Sequence, residues 1–349
     1  MNLALTEEQQ FLRHTFAALF GTESSPERVR AAEPLGHDPK LWELVMATGA
    51  LGVGVPEESG GGGGGLLELA LISEEIGRRV APIPFAEPVA AARLLAACEA
   101  KDLLDGALSG ERLVSLATQP CPLEQQLLVD GAIADVILAL DGDQVIAVRC
   151  PADVRHVSNM GSLPMARWYA PSDVQVLAEG DDPSRWFSAA LDEVRILRAA
   201  ALVGLASEAI EIGAAYARER QAFGLAIGTY QAVAHPLADA LVAKDGAQLL
   251  IWKACWAANE ALSRASALSS MAFVFASETA YAAAQHSLHI HGGYGFTEEC
   301  DIQLYFRRAK AWVTAFADPN RELDVVADRS FGPSRAKLRG TLARVGQGA

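Results

Sequence analysis

Three groups of residues in this 349-residue chain have types and spacing that could do chemistry. The first is a run of six glycines, Gly60–Gly65. Such a loop could cradle a phosphate, but it would need a Lys and a Ser/Thr, or a preceding strand. VPEESGGGGGGLLELA supplies neither, so the run reads as a flexible, low-complexity connector. The second group is His286, His289 and His291. Only two of these fall at helical spacing and no acid or cysteine cluster stands beside them, so a metal site is not expected. The third is the five cysteines, Cys98, Cys121, Cys150, Cys255 and Cys300. They are odd in number, scattered and without a CxxC pair, as free thiols in a reducing compartment would be.

Composition narrows the partners. With 29 Lys and Arg against 43 Asp and Glu, the formal charge is −14. Nucleic acid and anionic membranes both require a basic face, so neither is expected as the main partner. Apolar residues make up 51% and charged residues 21%, an ordinary globular composition. MNLALTEEQQFL has neither the basic nor the apolar region of a targeting peptide, and no apolar run is long enough to span a bilayer. A soluble, cytoplasmic protein is the expectation.

The elements that must position these residues fall into three parts and a tail, an α+β chain that is mainly α. Residues 1–111 read as an N-terminal helical domain. Thr6 can cap a helix with Gln9 at its N3 position, and Phe11, Leu12, Phe16 and Leu19 follow at helical spacing. Residues 112–181 read as a small, reduced β domain. RLVSLA, QLLVDG, DVILAL and QVIAVRC are short β-branched runs between turn signals, and frequent prolines exclude a long helix. Residues 182–330 read as a C-terminal four-helix bundle. LDEVRILRAAALVGLASEAIEIGAAYARERQAFG is its first helix, and two more long Ala-rich helices and DIQLYFRRAKAWVTAFA follow. Residues 331–349 form a basic, Gly-rich tail for which solvent-exposed disorder is the default.

YARERQAFGLAIGTYQAVAHPLADALV, SLHIHGGYGFTEECDIQLYFRRAK and LGVGVPEESGGGGGG followed by EEIGRRVAPIPFAEPVAAARLL occur in the order and spacing found in acyl-CoA dehydrogenases. The chain resembles that family over nearly its whole length. The resemblance implies the acyl-CoA dehydrogenase fold. It also implies α,β-desaturation of a CoA thioester with FAD as hydride acceptor, and an electron-transfer flavoprotein to reoxidise the flavin. It places Arg220, Phe223 and Gln231 at positions that reach the FAD of a neighbouring subunit, with His289, Gly292 and Gly293 beside them. A guanidinium suits a pyrophosphate because its donors are fixed and paired. Taken alone, Arg220 would be a solvated helix-end arginine beside a core phenylalanine, and Gly292-Gly293 a plain helix stop. His289 stands where the family has Gln.

The departures matter as much. The family's first flavin-seating segment reads Thr118-Gln119-Pro120 and then CPLEQQ here, without its Gly-Ser turn, and the second is deleted. The family's catalytic Glu falls on Phe316, counted from Arg307-Arg308-Ala309-Lys310, or on Val194 beside Arg195. Neither can accept a proton. Asp318 and Glu193 lie nearby, but one residue on a helix is about 100° of rotation, so they are weak candidates for the base.

Loss of ring seat and base, with retention of the residues that act in trans, points to a heteromer. The chain would be the non-catalytic subunit of an α2β2 acyl-CoA dehydrogenase, of the kind actinobacteria use on steroid side-chain thioesters, and would complete the FAD site of a homologous partner. A self-sufficient homotetramer with a relocated base, and a non-catalytic scaffold, are the competing readings.

Overall fold

The computed structural model describes residues 4–119, 126–151, 154–168 and 174–332. The segment after Thr118-Gln119, Cys121 among it, and the tail beyond residue 332 lie outside the described residues. Among the described residues no helix is long and apolar enough to cross a membrane.

Six helices come first: α1 (Glu7–Glu23), α2 (Pro26–Ala32), α3 (Pro39–Ala47), α4 (Leu66–Arg78), α5 (Ala86–Ala97) and α6 (Lys101–Leu108). The start of α1 is the capping box expected there, with the Thr6 side chain accepting from the Gln9 amide and the Gln9 side chain accepting in return. Gln9 also donates to Glu68 at 2.8 Å, tying α1 to the first turn of α4.

The glycine run is not the flexible connector its composition predicts. The amides of Gly61, Gly62, Gly63 and Gly64 donate to Pro56, Gly52, Val55 and Val53 carbonyls at 3.0, 2.9, 2.9 and 2.7 Å. A Cβ at Gly61 would stand 2.2 Å from the Val55 carbonyl oxygen, and one at Gly64 2.8 Å from that of Val53. The glycines are there because two backbones touch.

The middle region carries β1 (Val114–Leu116), β2 (Gln126–Leu128), β3 (Val136–Asp141), β4 (Gln144–Arg149), β5 (Ala166–Trp168) and β6 (Gln175–Glu179). Their order in the main sheet is β1-β3-β4-β6, with β1 parallel to β3 and the other pairs antiparallel. β2 pairs with β5 separately. Alternation along β3 divides the sheet's two faces. Val136 and Leu138 join the helical core, and Ile137 and Ala139 join a second cluster containing Leu128 and Trp168.

The bundle follows. It comprises α7 (Asp181–Glu219), a two-stranded hairpin of β7 (Gln221–Ala222) and β8 (Leu225–Ala226), α8 (Gln231–Asn259), α9 (Ala265–Ile290), α10 (Ile302–Phe316) and α11 (Pro319–Phe331). α7 begins ten residues before the LDEV stretch in which its period is first legible, and it stops at Glu219 rather than running on to Gly224. α11 is an addition to the four helices expected. It is anchored to α7 by Arg195–Glu322 at 3.0 Å and Arg329–Asp192 at 2.7 Å.

Small residues let the long helices approach closely. A Cβ at Gly77 of α4 would lie 1.8 Å from the Ala201 carbonyl oxygen of α7, and one at Gly204 of α7 1.8 Å from that of Glu74 on α4. The crossing is therefore backbone against backbone, reciprocally. Gly204→Ala should force the helices apart at a cost of about 1–3 kcal/mol. Thermal denaturation should register this as a fall of several degrees, and an unchanged midpoint would contradict the close crossing.

Candidate functional site

Arg220 is the residue at which α7 ends. Its backbone is extended (φ −71°, ψ 127°), its amide donates to the Tyr216 carbonyl at 2.9 Å, and its carbonyl accepts from Ile227 at 2.8 Å. The hairpin that follows turns on Phe223 and Gly224, at φ +53° and +78°. A two-residue turn with both φ positive matches the twist of the paired strands. Glycine suits it, whereas phenylalanine adopts it under strain. Tyr230 pins the hairpin by donating its hydroxyl to the Ala222 carbonyl at 3.0 Å. The Phe223 ring is 96% exposed, so it is not the core phenylalanine that the bland reading of this motif requires. Arg220 is exposed and makes no ion pair among the described residues. Gln231 is the exposed first residue of α8; the Val233 and Ala234 amides donate to the Tyr230 carbonyl at 2.9 and 3.0 Å, and a helix start favours negative charge.

His289 and Gly292 come together in a groove of about 540 Å³, with His286, Tyr281, Phe296 and Phe306 on its walls. Gly292 is left-handed at φ +60°, and a Cβ on Gly292 or Gly293 would meet nothing within 4 Å. Neither glycine is required by a close approach within this chain, and both face open space. The third imidazole turns inward. His291 is buried, its Nδ1 lies 2.7 Å from the Ser287 carbonyl, and its ring stacks on Tyr216 at 4.1 Å. Among the described residues no group of three or more His, Cys, Asp or Glu is placed to hold a metal. The Tyr216–His291 stack sits one helical turn before Arg220 and one residue before Gly292. It therefore brings both sets of residues to the same end of the bundle.

The positions of the missing base are elsewhere, and they are filled. Val194 is fully buried. The Phe316 ring lies 5.5 Å from the Arg195 guanidinium carbon, 5.3 Å from that of Arg198, and edge-on to Phe273. Neither substitute carboxylate is placed to serve. Glu193 commits both oxygens to Arg93, at 2.8 and 3.0 Å. Asp318 is exposed and caps α11, accepting from the Asn320 amide at 3.0 Å.

Sequence reasoning missed a buried charge cluster in the crevice between the N-terminal helices, the sheet and the bundle. Arg198 donates to Glu87 through Nε at 2.7 Å and also through Nη2, and to the Trp312 carbonyl through Nη1 at 3.3 Å. Asp130 faces the same crevice and accepts from Ser115 at 2.7 Å. Burial, and then the charge of Glu87, raise its carboxyl from the ordinary 3.8 to about 7. The one sequence signal was a Glu inside the apolar run PFAEPVA. The open space beside these charges is about 80 Å³. An engineered cavity of about 150 Å³ takes a single benzene ring, so the space enclosed among these charged side chains is smaller than one aromatic ring. The set at the bundle end, by contrast, presents a guanidinium, a carboxamide and open backbone to solvent.

Asp130 binds its proton more tightly folded than unfolded, so its ionisation opposes folding. The penalty grows from about pH 4 to about pH 7 and is constant above that. Asp130→Asn should therefore gain on the wild type across that window. Denaturation at pH 5 and pH 8 should show the larger difference at pH 8, on the order of a few kcal/mol; a pH-independent difference would refute the assignment.

Two family models match the chain: the acyl-CoA dehydrogenase N-terminal domain over residues 6–98 and the C-terminal domain over residues 184–316. The acyl-CoA dehydrogenase IpdE2 of Mycolicibacterium smegmatis is 32% identical over 326 residues, covering 91% of this chain and 97% of that one. In the ChsE4-ChsE5 complex of Mycobacterium tuberculosis, the similar chain has a TM-score of 0.85 at 25% identity, covering 96% and 100% of the two chains. A chain of the Tcur3481-Tcur3483 steroid ACAD has a TM-score of 0.81 at 27% identity, covering 93% and 97%.

Proposed function

Because this chain belongs to the acyl-CoA dehydrogenase family, we propose that it is one subunit of an FAD-dependent, heteromeric acyl-CoA dehydrogenase, completing the flavin site of a homologous partner in an α2β2 assembly. The observation that carries this reading is a contrast within the chain. Its own crevice is narrow and charged, while the Arg220 and Phe223 side chains are presented to solvent with no partner among the described residues. The resemblance to chains of two heteromeric complexes, one of them a steroid ACAD, supports the same arrangement and favours a bulky acyl-CoA as substrate.

The chemistry the bound FAD supplies is acceptance of a hydride from the β-carbon of the thioester as its α-proton leaves. This chain's residues hold and cover. Arg220 would hold pyrophosphate oxygens, for which a charge-assisted, fork-shaped contact is strongest. The Gln231 carboxamide at the start of α8 would add a neutral donor. The exposed Phe223 ring would be covered in the assembly, and excluding water there would strengthen the contact by lowering the local dielectric. The open turn from His289 to Gly293 admits a ligand close to the backbone. Proton abstraction belongs to the partner, since Val194 and Phe316 hold no acceptor. An electron-transfer flavoprotein is the electron acceptor in this scheme.

Purified alone, the chain should show no flavin absorbance. Co-purified with a homologous subunit that has both flavin segments, it should give one FAD per heterodimer. Arg220→Ala should weaken flavin retention more than tenfold, the equivalent of roughly 1.5–3 kcal/mol for a charged hydrogen bond. Asp318→Asn and Glu193→Gln should leave turnover intact. A yellow, active chain on its own, or unchanged flavin content in Arg220→Ala, would overturn the proposal.

A further inference from the structure

The charged crevice has unfilled bonding capacity of its own. Arg198 and Glu87 satisfy each other, Ser73 donates to the Leu197 carbonyl at 2.6 Å, and Asp130 accepts from Ser115. Two groups on α10 are left over. The indole Nε1 of Trp312 is buried and has no hydrogen-bond partner among the described residues, and an indole nitrogen can only donate. Arg308 is 3% exposed, and its bonds run through Nη1 alone, to Glu33 at 3.2 Å and the Leu304 carbonyl at 3.3 Å. Glu33 is shared, because Arg307 also binds it. Two guanidiniums thus lean on one carboxylate, and one positive charge is unanswered.

What is missing is an acceptor carrying negative charge. The space available, about 80 Å³, is smaller than a benzene-sized cavity and large enough for an anion of three or four heavy atoms. We propose that this crevice is a binding site for a small oxyanion the size of acetate, held by Arg308 and the indole N–H of Trp312. Glu87 and Asp130 line the same space. Glu87 is neutralised by Arg198, and Asp130, kept protonated by burial below about pH 7, adds no opposing charge there. The site is separate from the bundle end on which the proposed function rests, and neither reading requires the other.

The test uses the full-length chain, with its partner subunit where solubility demands it, at pH 6. Sodium acetate should raise the unfolding temperature saturably, beyond sodium chloride at matched ionic strength. It should also shift one indole N–H resonance downfield. Trp312→Phe keeps the ring and removes the donor; it should weaken acetate binding at least tenfold and abolish the shifted resonance. Arg308→Gln should weaken binding similarly. Stabilisation equal to that by chloride would mean an adventitious ion only, and acetate binding unaltered in Trp312→Phe would mean the crevice holds water; either result overturns the assignment.

Discussion

The buried pair of Arg198 and Glu87 is the constraint around which the chain is arranged. Two charges taken out of water are tolerable only with close, well-oriented partners, and removing either one leaves the other stranded at a cost of about 3–5 kcal/mol. Here the pair joins α7 to α5 and, through the Trp312 carbonyl, to α10. It occupies the junction of all three regions, so the crevice cannot be apolar and roomy at once. Phe316, whose ring lies under the Arg195 and Arg198 guanidiniums, closes the crevice from the bundle side. The space where the three regions meet is given to these contacts, and paired charges of the chain are concentrated there.

This division explains why the two ends of the bundle differ so much in character. Around Arg195, Arg198 and Arg93 each guanidinium faces a carboxylate. Around Arg220 none does among the described residues. Unsatisfied donors at a surface are ordinary for a single arginine. A partnerless arginine, a phenyl ring in water and a helix start, all within twelve residues and braced by a Tyr–His stack, are harder to account for inside one chain.

Much of this was legible in the sequence, and what was not has identifiable physical causes. The long helices and strands β1–β4 follow from periodicity and turn residues, since both are local properties, whereas β5, β6, the β7–β8 hairpin and α11 carried no such signal. The capping box at Thr6 was readable for the same reason. The glycine run was misread because composition reports backbone freedom, whereas the close approach to residues 52–55 that uses it is tertiary. The end of α7 was misplaced because ARERQAFG has helical propensity, and the positive φ at Phe223 is imposed by a hairpin that propensity does not describe. The Glu87–Arg198–Asp130 cluster spans residues from three regions. No spacing rule connects them, and only the PFAEPVA glutamate hinted at a buried charge. That Val194 and Phe316 stand at the counted positions of the family's glutamate was visible at once, because it is a matter of residue type at a counted position.

The turn at Phe223 has a consequence for the biology of supply. A left-handed phenylalanine is a strained way to hold an aromatic ring in water. In the proposed heteromer, polypeptide made in excess of its counterpart would keep that ring uncovered. Within that reading, balanced synthesis of the two chains, as from adjacent cistrons translated together, keeps each tip matched to a cover.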